Sequence, residues 1–392
     1  MTAWSAVNAL GRSTRDVLAA LDASRTGLRR PTFDLPFSTF VGEVQGELPT
    51  LPEEFAAYDC RLARLGWLAL EDLRPAVARA VDRWGPERVA ILLGTSTGGL
   101  DATEGAYRNF VAEGALPGHY SLHQQHDFSA LGDLFARSLG AHGPAYVVST
   151  ACSSSGKVHA SAARLIRAGL IDACVVGGID SLCRMTLHGF RGLGILSEQP
   201  CRPFAKSRTG INIGEGAALM LLERSAEHQP EFVHLLGVGE SSDAYNMSSP
   251  EPSGRGAREA MERAMGQAGL TPKLIDHVNA HGTATVQNDG AEATAIRTLL
   301  GSSVRVSSTK GYTGHLLGAA GATEAVFAIH AVRSGRVPVS LGSDDLDPEL
   351  GLNVVRSGPP HEIDPRPVRV VLSNSLAFGG SNVCLAIGEP VQ

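Results

Sequence analysis

The 392-residue chain is 43% hydrophobic and 19% charged, with a formal net charge of −6. These proportions describe a globular protein with a large core, and the mild acidity excludes binding to nucleic acid or to a membrane surface through overall charge. No apolar run approaches the roughly 18 residues of a membrane span, and residues 1–10 are too polar for a secretory h-region, so the expected compartment is the cytoplasm.

Apolar runs alternate with amphipathic stretches from end to end, the pattern of an α/β architecture. In chain order the pattern predicts a strand over 88–94, a helix over 128–139, a strand over 145–149 and a helix over 154–168. Strands follow over 173–179, 217–223 and 233–239, then a helix over 256–268 and a strand over 275–280. Helices over 289–300 and 316–334 and strands over 368–373 and 382–388 complete the series. In the helix at 154–168, Val158, Ala162, Leu165 and Ile166 share one face, and Gly169 stops it. A polar break at 227–230 divides the chain into halves 1–227 and 228–392. Six cysteines, at 60, 152, 174, 183, 201 and 384, show no CxxC pair and no metal-like spacing, and read as free thiols.

Three places carry candidate chemistry. Cys152, in VVSTACSSSG at 147–156, stands between a buried-looking strand and the start of a long helix. Unpaired N–H groups and the helix dipole favour a thiolate there, and a thiolate attacks thioesters to give an acyl-enzyme. A lone cysteine in such a run is nonetheless more often a small buried core residue. His281 follows a predicted strand in NAHGTATVQND at 279–289. In an extended segment the hydroxyls of Thr283 and Thr285 would face the same way as its imidazole. Lys310 and His315 lie in a glycine-rich turn before the helix at 316–334. Each alone is weak; with Cys152 they make a nucleophile, two imidazoles and a fixed cation, a set able to manage negative charge without metal.

STACSSS at 149–155, NAHGTAT at 279–285, STKGYTGHLLGAAGATE at 308–324 and SNSLAFGGSN at 373–382 resemble, in order, signature blocks of the β-ketoacyl-acyl-carrier-protein synthases. RPFAKSRTGINIGEGAALMLLE at 202–223 resembles a fifth block, so the likeness runs over nearly the whole chain. The resemblance implies a thiolase-like five-layered αβαβα fold of two similar halves. It implies that Cys152 takes the growing acyl group, and that His281 and His315 assist decarboxylation of a malonyl thioester and hold the enolate. Lys310 would order the histidines through a network with Glu324. The N–H groups of Cys152 and Phe378 would form the oxyanion hole, Phe378 would gate the site with Gly379 and Gly380 as flexible neighbours, and Thr283 and Thr285 would bind the pantetheine arm. No metal or resident cofactor is implied, because phosphopantetheine arrives on the acyl carrier protein. The partner would be a second copy or a ketosynthase-like chain-length-factor subunit.

The sequence departs from the family pattern at three places. The first strand is shortened to residues 2–9. VQND at 286–289 replaces the Pro-x-Gly-Asp of fatty-acid enzymes and, with GTSTGG at 94–99, is similar to aromatic-polyketide and aryl-polyene enzymes. Gly194 stands near a position that is often basic, which shifts the expected carrier contact to Arg61, Arg64 or Arg191. Phe190, Met185 and Leu187 are the expected lining of the acyl pocket. Two other readings compete: a non-catalytic chain-length factor, which would lack the cysteine, and a biosynthetic thiolase, which would carry a second catalytic cysteine where this chain has Phe378.

Overall fold

The computed structural model describes residues 1–225, 232–356 and 366–390. The expected break at 227–230 falls outside them. Strands β1 (Ala3–Asn8), β3 (Val89–Gly94), β4 (Ala145–Val148), β5 (Ala173–Asp180) and β7 (Gly216–Glu223) form one sheet in the order β1-β7-β5-β3-β4. A second sheet has the order β11-β10-β9-β12-β13-β8, built from β8 (His234–Ser242), β9 (His277–Asn279), β10 (Arg305–Ser307), β11 (Asn353–Val354), β12 (Val370–Ala377) and β13 (Ser381–Gly388). A two-stranded ribbon, β2 (Val41–Gly42) with β6 (Ile213–Gly214), stands apart from both.

The helices sort into three layers. Of the first six, α1 (Thr14–Asp22) and α6 (Arg184–Gly192) are short, α3 (Leu100–Glu113) follows β3, and α2 (Arg61–Trp84) and α4 (Ser129–Leu139) cover the outer face of the first sheet. Helix α5 (Ser154–Arg167) packs between the sheets. On the far side, α7 (Arg255–Ala268) covers the second sheet and α8 (Val286–Leu300) packs on α7. After the single turn α9 (Lys310–Thr313), α10 (Ala320–Ser334) returns to the middle beside α5. Helix–sheet–helix–sheet–helix is the five-layered order expected.

Patterning explains the layers. α10 is buried along almost its full length, from Ala320 to Val332, which is what a helix sandwiched between two apolar sheet faces requires. α2 buries Leu62, Leu65, Ala69, Leu70, Leu73 and Val77 on one stripe. It lies where no helix was expected, and it carries Gly66 and Pro75 within its length. Close approach at the centre depends on glycine: a side chain at Gly94 would meet the Ser155 backbone N at 2.5 Å, and one at Gly178 would meet Ser155 Cβ at 2.6 Å. The N-terminus of α5 is thereby pressed against the ends of β3 and β5. At the sheet's edges β1 pairs only with β7, while β4 is paired on one side and carries a partly exposed Tyr146. Among the described residues no helix is long and apolar enough to cross a membrane.

Candidate active site

The chain leaves β4 at Val148 and enters α5 at Ser154 through a tight elbow. Ala151 takes φ +52°, a strained value for a residue with a side chain. Side-chain bonds hold the elbow: Thr150 N–H donates to Ser154 Oγ at 2.9 Å, and the hydroxyls of Ser153 and Ser154 donate to the carbonyls of Thr150 and Ala151. The Ser-rich run is thus the brace of the turn that presents Cys152. Cys152 Sγ lies 3.0 Å from His315 Nε2. Burial pushes its thiol up to about 12, against the pull of the Lys310 charge. Desolvation thus opposes the thiolate that the helix terminus favours, and the imidazole of His315 stands ready to take the proton.

His281 follows β9, with its own N–H and that of Gly282 both donating to the buried carboxylate of Glu292 at 2.8 Å. Asp289 accepts from Ala284 N–H at 3.2 Å and from Phe204 N–H at 2.8 Å. Both acids project from α8 and fold the segment around themselves. Its backbone is not extended, since Gly282 has φ +40° and Ala284 +65°. Thr283 and Thr285 still meet, oxygen to oxygen at 3.0 Å, and both line the same cavity as His281. The expected common orientation therefore comes from two left-handed residues and not from strand alternation.

Lys310 is buried and pairs with Glu324 at 2.5 Å, while its Nζ lies 3.3 Å from His281 Nδ1. Burial raises the Glu324 carboxyl to about 7 in spite of the lysine. The rings of His281 and His315 meet edge-on with centroids 5.1 Å apart. Burial and the Lys310 charge hold both well below the usual histidine range, so both are neutral. Asp180, at the end of β5, accepts from Gly318 N–H at 2.6 Å, from the N–H groups of Ser96 and Thr97, and from the hydroxyls of Thr95 and Thr97. It ties the GTSTGG segment to the turn that carries His315. Sequence reading missed Glu292, Asp289 and Asp180; the one available signal was acids at 289 and 292 among buried alanines in a predicted helix.

These side chains open on a cavity of about 170 Å³. Its lining is mixed: Phe190, Leu193, Ile195, Ile211, Leu376 and Phe378 are apolar, and Thr283, Thr285, Gln287, Asn288, Asp243 and Glu251 are polar. Phe190 and Phe378 face each other at 5.8 Å. Gly379 and Gly380 both take positive φ and are tied to a neighbouring segment: Gly379 N–H donates to Met247 O, and Asp243 N–H donates to Gly380 O. Neither glycine is a lining residue.

Two expected lining residues are elsewhere. Met185 is 62% exposed, and Leu187 is fully buried behind the lining, in the cluster that holds Ile211 and packs against Phe190 and Ile195; two residues apart on α6, they project to different sides. The docking arginines are also engaged. Arg61 pairs with the buried Glu215, whose carboxylate also accepts from Val44 and Leu182 N–H, and Arg64 clasps Asp59. Arg191 remains at the surface, paired with Glu198 at 3.0 Å.

Residues 61–228 match the β-ketoacyl synthase N-terminal domain and residues 233–344 its C-terminal domain. Nodulation protein E of Rhizobium meliloti (strain 1021) is 31% identical to this chain, covering 99% of it and 98% of that protein. The 3-oxoacyl-(acyl-carrier-protein) synthase 2 of Staphylococcus aureus (strain COL) is 32% identical over 83% of this chain and 81% of its own. Among solved structures, the ketosynthase ApeO in complex with its chain length factor ApeC, from Xenorhabdus doucetiae, is 38% identical with a TM-score of 0.89, covering 99% of this chain and 97% of that one.

Proposed function

The chain belongs to the β-ketoacyl synthase family and is an acyl-carrier-protein-dependent condensing acyltransferase of thiolase fold, and on that premise we propose how its residues divide the work. The observation that carries the reading is the 3.0 Å contact between Cys152 Sγ and His315 Nε2, with His281 against the same imidazole. In the first half-reaction Cys152 attacks the thioester of an acyl-carrier protein. Its proton passes to His315 Nε2 as the S–C bond forms, and then to the departing phosphopantetheine thiol. The paired imidazole offsets the raised thiol pKa, because the proton moves only when the thioester is in place.

In the second half-reaction malonyl-carrier protein enters the emptied arm site. Lys310 is an ammonium that can only donate to His281 Nδ1, so the ring proton of His281 is held on Nε2. That Nε2–H stabilises the negative charge on the thioester oxygen as CO₂ leaves, with the His315 ring packed edge-on beside it. The enolate carbon attacks the acyl-Cys152 carbonyl, the oxyanion rests on the N–H groups of Cys152 and Phe378, and the Cys152 sulfur leaves as a thiolate that regains its proton from solvent. Thr283 and Thr285 receive the pantetheine arm, and the acyl chain lies against the apolar lining residues beside Phe190. Phe378, with Gly379 and Gly380 behind it, controls entry. Phosphopantetheine comes with its carrier protein.

The division into halves 1–227 and 228–392 is supported by the membership of the two sheets, which share no strand. The half-paired strand β4 is the edge on which we place a dimer partner. A chain-length-factor subunit is favoured over a second copy, because the 38% identical neighbour is itself a ketosynthase bound to one. That likeness and the Gln-Asn-Asp segment at 287–289 favour a specialised polyene-type or polyketide system in the cytoplasm over housekeeping elongation. Intact-protein mass spectrometry after incubation with a panel of acyl-carrier proteins tests the reading. A mass gain on the wild type and none on Cys152→Ala is expected. An equal gain on both would overturn the nucleophile assignment, and the preferred acyl group identifies the system.

A further inference from the structure

Cys152 Sγ and a ring nitrogen from each of His281 and His315 lie within 4.8 Å of one another, all three side chains buried. A thiolate with two imidazoles is the donor set that soft divalent cations of the zinc class select, and three protein ligands leave a fourth position for water. All three residues line the cavity, so the fourth position can be reached from it. We propose that this triad is a latent site for such a cation, and that Lys310 holds it in a form that resists closing on the metal.

The resistance is tautomeric. With Lys310 Nζ donating to Nδ1 at 3.3 Å, the single proton of neutral His281 sits on Nε2, which then has no lone pair to offer. Ligation needs that proton moved to Nδ1, where it confronts the lysine charge. His315 carries no such lock: its Nδ1 has no hydrogen-bond partner among the described residues, and Nε2 already faces the sulfur. Binding forms a sulfur–metal bond, displaces the thiol proton to solvent and changes no oxidation state. The same ammonium that keeps His281 a donor for the enolate thus keeps the centre from being captured by a metal.

The test uses the full chain and Co²⁺ as probe, read by its sulfur-to-cobalt charge-transfer band, with Zn²⁺ competition. Lys310→Met removes the lock but leaves Glu324 buried without its partner, so Lys310→Met/Glu324→Gln is measured alongside it. Both are expected to bind Co²⁺ at least about tenfold more tightly than the wild type, the equivalent of one charge-assisted hydrogen bond. The band is expected to vanish when Cys152→Ser is added. Equal or weaker cobalt affinity in both lysine variants overturns the proposal, as does a band that survives Cys152→Ser. The readout is metal binding and not turnover, so it is independent of the condensation mechanism.

Discussion

Replacing Asp180 with asparagine isolates the contribution of the carboxylate that ties β5 to the turn of His315. One oxygen, Oδ1, accepts from the hydroxyls of Thr95 and Thr97 and from the N–H groups of Ser96 and Thr97; the other, Oδ2, accepts from Ser96 and Gly318 N–H. An asparagine can keep the first set, but its NH₂ then faces Gly318 N–H at what was 2.6 Å. The loss is one bond to a charged acceptor, about 1.5–3 kcal/mol, part of which is offset because a buried charge has also gone. Alanine would leave three backbone donors unsatisfied at about 1–3 kcal/mol each, a large share of a typical stability of about 5–15 kcal/mol, so asparagine is the informative variant. We expect Asp180→Asn to lower Tm by several degrees. We also expect acyl loading of Cys152 to slow about tenfold, since His315 sits three residues before Gly318 and a loosened turn misplaces Nε2. The measurements are calorimetry and single-turnover loading by mass spectrometry. A variant with wild-type Tm and wild-type loading would refute the claim that Asp180 holds this turn; a lower Tm with unchanged loading would confine it to stability.

His281→Ala is expected to depress malonyl decarboxylation at least about a hundredfold more than self-acylation, followed as CO₂ release against mass gain; parallel losses would contradict the assigned roles. Arg61→Ala should destabilise the protein by about 3 kcal/mol, because it strands the buried Glu215, while the salt dependence of loading by carrier protein stays unchanged. Acid should destabilise the fold early. His159 is held down to about 4 by burial, so the unfolded chain takes up a proton near the ordinary 6.5 that the native state refuses. The stability this gives is complete above about 6.5 and is lost as pH falls towards 4, roughly 3 kcal/mol in all. His159→Asn should make the fall of Tm across that window shallower, the other buried histidines keeping part of it.

Much of the fold could be read before the structure because its signals are periodic. The stripe of Val158, Ala162, Leu165 and Ile166 with Gly169 behind it placed α5 correctly to within a residue. α10 was expected from 316 and begins at Ala320, since Leu317 takes φ +51° and Asp180 holds Gly318 in the preceding turn. α2 escaped because Gly66 packs against Ile179 and Phe135, a tertiary reason for a glycine that propensity counts against a helix. The catalytic candidates were readable as types in motifs. Their supports were not: a buried carboxylate such as Glu292 or Asp180 looks like any surface acid until its donors are known. Burial also opposes the expected thiol acidity of Cys152, and exposure cannot be read from a run of serines.

The layering has a consequence for synthesis on the ribosome. Cys152 and His315 are separated by 163 residues, so at about 5–20 residues per second the nucleophile waits roughly 10–30 s for its base. Every strand of the first sheet has been translated by Glu223, yet the helix that shares its inner face with α5 ends only at Ser334. For that interval the growing chain carries a bare apolar surface and a thiol without its imidazole partner. The nucleophile is armed by the same late event that buries the surface, so a truncated or stalled chain has a cysteine but no ketosynthase centre.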